Sequence, residues 1–270
     1  MSIGGISGSS YVNSSASQSL ASTSQSLASG QRINSASDDA AGLAIANRLT
    51  SQIDGKGQAV ANSVSGISAT QIAQSGLESV TNDLNSLREL AVQAGNGIYS
   101  DSDRQALQSE ADNLIANIQD TIDQTSFAGQ DLLSEDGSLD FQVGADSGSS
   151  LSVTTSDLAN TLSGTGLLSL DITDQSSLDT AITAIDDSIS SVSELQADYG
   201  ATENAFTSRV DSLLEAQENE SAARSRIQDA DFAAVISEQI SASIREQSSV
   251  SVQAQANADA NRSLSLLLGA

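Results

Sequence analysis

The chain has 270 residues, with 35 acidic side chains against 10 basic ones and a formal charge of −25. That balance argues against nucleic acid or an anionic membrane surface as a partner, since both need a basic face. Histidine and cysteine are absent, which removes a Ser-His-Asp triad, a cysteine nucleophile and the usual zinc sites. The chain is therefore expected to be no enzyme and to hold no cofactor or metal. Proline is also absent and aromatics make up 3% of residues. Nothing interrupts a long helix, and the packing must rest on Ala, Leu, Ile and Val. No apolar run approaches the roughly 20 residues of a membrane span, and the start MSIGGISGSSYVNSS lacks the basic and apolar blocks of a signal peptide.

Residues 1 to about 33 are rich in Ser and Gly, with sparse apolar points at Tyr11, Leu20 and Leu27. The last two lie seven apart and keep one weak helical seam open, so this arm is expected to be disordered in an isolated monomer. Ser29 to Ile53 reads as a dense helix start. Asn34, Ser35 and Ser37 offer short side chains to free amides, and Asp38 and Asp39 place negative charge where the helix dipole favours it. From about Ala41 to Gln93 the spacing is helical, with Ala73, Leu77, Val80, Leu84, Leu87 and Ala91 forming one apolar stripe. Some 50 residues at about 1.5 Å each make a rod of roughly 75 Å. Gly55, Gly57, Gly66 and Gly76 interrupt it, each at up to about 1 kcal/mol relative to Ala. Tertiary packing has to offset that cost.

Gly95-Asn96-Gly97 ends the helix, and Ser100 and Asp101 can cap the next, whose stripe is Leu107, Ala111, Leu114, Ile118 and Ile122. Residues 127–170 turn to Gly, Ser and Asp, with alternation at Leu139, Phe141 and Val143 and again at Leu151 and Val153, which predicts a β-hairpin. Helical spacing returns at Leu178, Ile182, Ile185, Ile189 and Val192 and continues through Tyr199, Phe206, Val210 and Leu213. A last helical arm runs from about Ala222 to Leu268. The expected fold is mainly α: a long antiparallel helical rod or coiled-coil bundle with one small β-hairpin region, its termini forming a helical arm pair. The expected domains are an N-terminal arm (1–40), a rod (41–220, with helices at about 41–95, 101–126 and 175–220) and a C-terminal helix (221–270).

Motifs that suggest chemistry dissolve on inspection. Asp229 and Asp231 stand two apart, so on a helix they face different ways. Asp136 to Asp140 resembles a calcium loop, yet Ser147 stands where the liganding glutamate belongs. The sole lysine, Lys56, lies between two glycines and reads as a helix irregularity.

Ser29 to Ile53, SGQRINSASDDAAGLAIANRLTSQI, closely resembles the signature near the N-terminus of bacterial flagellins. In the same order as in that family follow LNSLRELAVQ (84–93), FAGQDLL (127–133), FQVGA (141–145), ARSRIQDADF (223–232) and SVQAQAN (251–257). The resemblance implies a structural subunit that polymerises with copies of itself into the flagellar filament for swimming motility. Such a subunit leaves the cell unprocessed through the flagellum's own type III export channel, which reverses the cytoplasmic reading the start alone supports. It implies an export chaperone, cap and hook-junction proteins as partners, and terminal arms that are helical when packed in the filament's inner tube. Only about 40 residues occupy the place of the family's variable outer domains, so none is expected. The rivals are a hook–filament junction protein, with weaker internal motifs, and a non-flagellar helical scaffold or binding module.

The motif segments near the junction of arms and rod supply the candidate assembly residues Arg32, Asn34, Asp38, Asp39, Arg48, Arg224, Asp229 and Asp231. In many flagellins the region matching LRELAVQ is bound by the flagellin-sensing Toll-like receptor of vertebrates. Carry-over gives Arg88, Glu89, Leu90 and Gln93, with Glu110 on the adjacent helix. Ser86 stands where receptor-activating flagellins carry an arginine, which implies weakened recognition.

Overall fold

The computed structural model describes residues 5–268; the outermost arm residues, 1–4 and 269–270, lie outside it. The elements in chain order are α1 (Gly5–Ser29), α2 (Ala36–Ala94), α3 (Asp101–Gln124), β1 (Ser126–Phe127), β2 (Gln130–Asp131), β3 (Gly137–Gln142), β4 (Ser150–Thr155), α4 (Leu158–Thr165), a 3-10 turn (Leu167–Ser169), α5 (Leu178–Gln228) and α6 (Phe232–Leu268). They divide into two compact units, residues 54–217 and residues 1–53 with 218–270.

In the unit of residues 54–217 the α2 stripe is the spine. Ala73, Leu77, Val80, Leu84, Leu87 and Ala91 are all fully buried. Helix α5 runs antiparallel to α2, as the side-chain pairs Gln71–Glu203, Thr81–Gln196 and Arg88–Asp186 show. It presents Ile185, Val192, Tyr199 and Phe206 to the core. Helix α3 adds Ala111, Ile115, Ile118 and Ile122. Its start is a capping box: Asp103 N–H donates to the Ser100 hydroxyl, and Asp103 Oδ2 accepts from Ser100 N–H at 2.9 Å. The Ser100 hydroxyl, donating to Asp103 Oδ2 at 2.7 Å, and then the Ser100 N–H hold the Asp103 carboxyl below the usual carboxylate range. The Ser100 cap is where the sequence places it, and Asp103 completes it.

Strands β3 and β4 pair antiparallel, with Leu139 opposite Val153 and Phe141 opposite Leu151. Two side chains fix the hairpin to the helices through backbone carbonyls: Arg209 Nε donates to Val143 O at 2.7 Å and Asn62 Nδ2 to Gln142 O at 2.9 Å. Tyr199 is buried and donates its hydroxyl to Leu132 O at 3.1 Å; burial pushes its pKa up to about 12.

The stretch 127–170 holds more than one hairpin. A second, two-residue pair, β1 with β2, turns at Ala128 (φ 52°) and Gly129 (φ 81°), the left-handed pair of a tight hairpin turn. Helix α4 then buries Leu158 and Leu162. It is capped by Asp157, whose Oδ1 accepts from Asn160 N–H at 2.8 Å, and ends at Gly166 in the left-handed region. At the other end, α5 continues to Gln228 and breaks before α6 instead of passing into one terminal helix.

The interruption at Gly66 has a structural cause. A Cβ there would lie 2.5 Å from Phe206 Cζ, because the fully buried Phe206 ring lies against this helix backbone. The same ring meets Phe141 edge-on, centroids 5.6 Å apart at 90°. Gly66 thus lets α2, α5 and the hairpin share one contact. Gly66→Ala should destabilise the protein by about 1–3 kcal/mol through overpacking. Urea unfolding of the two proteins measures it, and an unchanged midpoint would refute the close approach.

Candidate functional site

The unit of residues 1–53 and 218–270 is held at a junction where two helix ends meet. Gly30 leaves α1 with φ 71°, and the backbone then pairs with the end of α5. Arg32 N–H donates to Gln228 O at 2.7 Å, Ala230 N–H donates to Gly30 O at 2.9 Å, and Gln31 and Asp229 form an antiparallel bridge. The Arg32 guanidinium donates to Ile227 O at 2.5 Å, and Gln228 Nε2 to Gln31 Oε1 at 3.0 Å. Carbonyls at the end of a helix lack partners within it and carry the negative end of its dipole. Arg32 meets both needs for α5.

The polar run after Arg32 is wired differently from the cap its sequence suggests. The Asn34 and Ser35 side chains do not accept from the helix amides; only the Ser35 carbonyl does, from Asp38 N–H at 3.1 Å. The Asn34 and Ser35 backbone amides donate to Asp38 Oδ2 at 3.0 and 2.8 Å, and the Ser35 hydroxyl donates to the same oxygen. The two backbone amides contribute most to holding the Asp38 carboxyl below the usual carboxylate range. Asn34 Nδ2 donates to Gln31 O at 2.9 Å. Asp39 is extended (φ −162°, ψ 98°), so regular α2 begins after it, and its Oδ1 accepts from Gly42 N–H at 2.8 Å. Gly42 has no room for a side chain: a Cβ would lie 2.5 Å from Asp39 Oδ2 and 2.7 Å from Cδ1 of the fully buried Ile33.

Across the junction, Asp229 accepts from the Ser225 hydroxyl at 2.6 Å, and Asp231 Oδ1 caps α6 through Ala233 and Ala234 N–H at 3.0 and 3.3 Å. These acids lie in a helix break rather than on a helix face. Among the described residues no group of three His, Cys, Asp or Glu is placed to hold a metal ion. Arg32, Asn34, Asp38, Asp39, Asp229 and Asp231 thus gather at the junction. Arg224 does not; it reaches Thr50 Oγ1 at 3.4 Å, and Arg48 is exposed on α2. Gly30, Gln31, Gly42 and Gln228 also belong to the junction, although none is among the candidate assembly residues. A glycine directly after a serine-rich helical arm was the available signal for the first.

Beyond the junction, α1 and α6 pack antiparallel. Ser17 Oγ donates to Glu246 Oε1 at 3.1 Å and Gln239 Nε2 to Ser24 Oγ at 3.3 Å. Thr23 and Ala242 are buried in the seam. The arm expected to be disordered in isolation is helical along α1, because small residues let the two helices meet. Leu20 shares a groove with Ile240 and Ile244. Phe232, Ile236, Ile240 and Ile244, four apart along one face of α6, remain 52%, 42%, 55% and 59% exposed.

The candidate receptor residues lie in the other unit. Arg88 Nε contacts Asp186 Oδ1 at 2.7 Å with both side chains half exposed, and that hydrogen bond raises the guanidinium pKa further. Arg88, Glu89 and Gln93 line a shallow surface depression with Asn85 and the exposed Val92. Gln93 donates to Tyr99 Oη at 2.9 Å. Leu90 packs against the core, away from that surface, and Glu110 on α3 is exposed but does not line the depression.

The junction makes a pH-dependent contribution. Asp38 has a depressed pKa when folded, so its stabilisation is present above the unfolded carboxylate value and is lost as pH falls through the lower, folded one. Asp38→Ala should therefore melt at a lower temperature than the parent at neutral pH, and the two curves should converge in acid. A gap independent of pH would refute the assignment.

Residues 9–138 match the bacterial flagellin N-terminal helical region and residues 182–267 the bacterial flagellin C-terminal helical region. A flagellin of Halalkalibacterium halodurans is 39% identical over 244 residues, covering 90% of both chains. Two solved structures share the fold. One is a Bacillus cereus flagellin (TM-score 0.52, 24% identity, 57% of this chain and 88% of that one). The other is a putative flagellar hook-associated protein of Vibrio parahaemolyticus (TM-score 0.60, 16% identity, 71% and 100%). The fold is thus shared by a filament protein and a putative hook-associated one, while the 39% identical relative is a flagellin. The chain belongs to the bacterial flagellin family and is a structural subunit of the flagellar filament.

Proposed function

We propose that the paired arms are the polymerising part of the subunit: residues 1–40 and 221–270 pack as the inner layer of the filament and residues 41–220 form the rod outside it. The observation that carries this reading is the apolar ladder of Phe232, Ile236, Ile240 and Ile244, which stays half exposed along α6 although α1 packs against that helix. A contiguous apolar stripe of this kind marks a protein contact surface. Successive copies meeting through unlike faces build an open helix rather than a closed ring. The junction residues Arg32, Asn34, Asp38, Asp39, Asp229 and Asp231 hold the helix ends at the base of the arms together, and the exposed Arg48 is available to a neighbouring copy. The role is mechanical, not catalytic. Export through the flagellar channel, an export chaperone, a cap and hook-junction proteins belong to the same reading.

Truncation at Val235 removes most of the α6 ladder and leaves residues 54–217 intact. It should abolish filament growth, seen by electron microscopy, while leaving most helical circular dichroism in place. Continued polymerisation would overturn the proposal.

The charge of −25 per subunit opposes stacking unless counter-ions screen it, over about 8 Å at physiological ionic strength and about 3 Å at 1 M. The melting temperature of assembled filaments should rise with NaCl. A flat or falling curve contradicts this.

A second reading concerns recognition by the flagellin-sensing Toll-like receptor. It is supported by the exposed face of Arg88, Glu89 and Gln93, and limited by Ser86, whose hydroxyl donates to Asn82 O instead of extending a cation. Ser86→Arg should raise potency in a receptor reporter-cell assay; equal potency refutes the role given to this position.

A further inference from the structure

We propose that Asn96 is a site of spontaneous deamidation and isoaspartate formation, a self-modification built into the turn between α2 and α3. Asn96, Gly97 and Ile98 are exposed, Ile98 by 80%. The Asn96 backbone is held on both sides: its N–H donates to Gln93 O at 3.1 Å and its carbonyl accepts from Tyr99 N–H at 3.2 Å. Its side chain curls forward over the turn, with Oδ1 accepting from Ile98 N–H at 3.3 Å. That geometry brings the carboxamide back over the Gly97 backbone, and the Ile98 amide polarises the carbonyl that is to be attacked. The Gly97 N–H has no hydrogen-bond partner among the described residues, and no Cβ shields it.

The chemistry needs only water. Solvent base removes the Gly97 amide proton, and that nitrogen attacks Asn96 Cγ. The Cγ–Nδ2 bond breaks and the nitrogen leaves as ammonia, taking a proton from solvent. Water then opens the resulting succinimide. Cleavage between the ring nitrogen and Cγ gives aspartate at position 96. Cleavage between that nitrogen and the main-chain carbonyl gives isoaspartate, with the chain now running through Cγ. Either product adds a negative charge just beyond the carbonyl end of α2, where the helix dipole disfavours it.

The other described asparagines are protected by their surroundings. Asn34 is the one other that lies outside the helices. Its carboxamide is bound to Gln31 O, and the next amide, Ser35 N–H, is committed to Asp38. The remaining asparagines sit in helices, whose backbone holds the following amide away from cyclisation.

The test incubates purified full-length protein at about pH 8.5 and about pH 6, where hydroxide-dependent proton removal sets the rate. Deamidation is read by mass spectrometry of proteolytic peptides, and isoaspartate by methyl transfer from S-adenosylmethionine with an isoaspartyl methyltransferase. The Asn96 peptide should convert first, faster at the higher pH, and Gly97→Ala should slow it by about tenfold or more. No atom lies within 4 Å of a Cβ at Gly97, so this variant keeps the fold, which circular dichroism checks. Asn96→Gln should remove the methyl-accepting signal. Conversion at Asn96 no faster than at Asn34, or a rate unchanged by Gly97→Ala, would overturn the proposal.

Discussion

Hydrophobic contact along one face of α2, from Ala73 to Ala91, is the interaction on which the rest of the fold depends. With no proline and few aromatic rings, this chain has no large anchors to gather a globule. It relies on an unbroken ladder of small and medium apolar side chains, each gaining roughly 25 cal/mol per Å² of surface removed from water. The α3, α5 and hairpin residues enter the core by covering that ladder. Even the glycines obey it: Gly66 gives up helix propensity so that Phe206 can lie against the backbone and reach Phe141.

The two units satisfy the same principle to different degrees. Residues 54–217 close over their stripe, with Leu132, Leu133, Leu158 and Leu162 fully or almost fully buried. In the other unit α1 is too poor in large apolar residues to cover α6. The pair meets along Thr23 and Ala242, and the isoleucine ladder stays open. A closed core in one unit and an open apolar face in the other suit a subunit whose exposed apolar surface is covered by neighbouring copies. The polar junction stands at the foot of the arms. Its backbone pairing, with Arg32 on the last α5 carbonyls and Asp38 on its own loop amides, fixes geometry without adding apolar surface.

What was legible in the sequence follows from range. The α2 stripe, the Ser100 cap and the β3–β4 alternation depend on residues a few places apart, and spacing reveals them. Helix α4 was not legible because LANTLSGT is short and rich in Ser, Thr and Gly, so its two buried leucines look like loop residues. The break at Asp229–Asp231 carried a signal, an aspartate ahead of Phe-Ala-Ala, that the surrounding helical pattern outweighed. The need for glycine at positions 42 and 66 depends on Ile33 and Phe206, and no local pattern announces such partners. The candidate site was half legible. Family-like motifs pointed to Arg32, Asp38 and Asp231, but which groups donate and which accept emerged only from the fold. Likewise Leu90 belongs to a surface motif by sequence and to the core by position.

Residues 54–217 bury their own apolar stripe, whereas the α6 ladder stays exposed and is left for other copies to cover. Hydrogen–deuterium exchange on monomer and on assembled filament tests this most directly. Protection should rise sharply on assembly across α1 and Phe232–Leu268, with the buried α2 stripe already protected in the monomer. Arms equally protected in both states, or a stripe that becomes protected only in the filament, would contradict it.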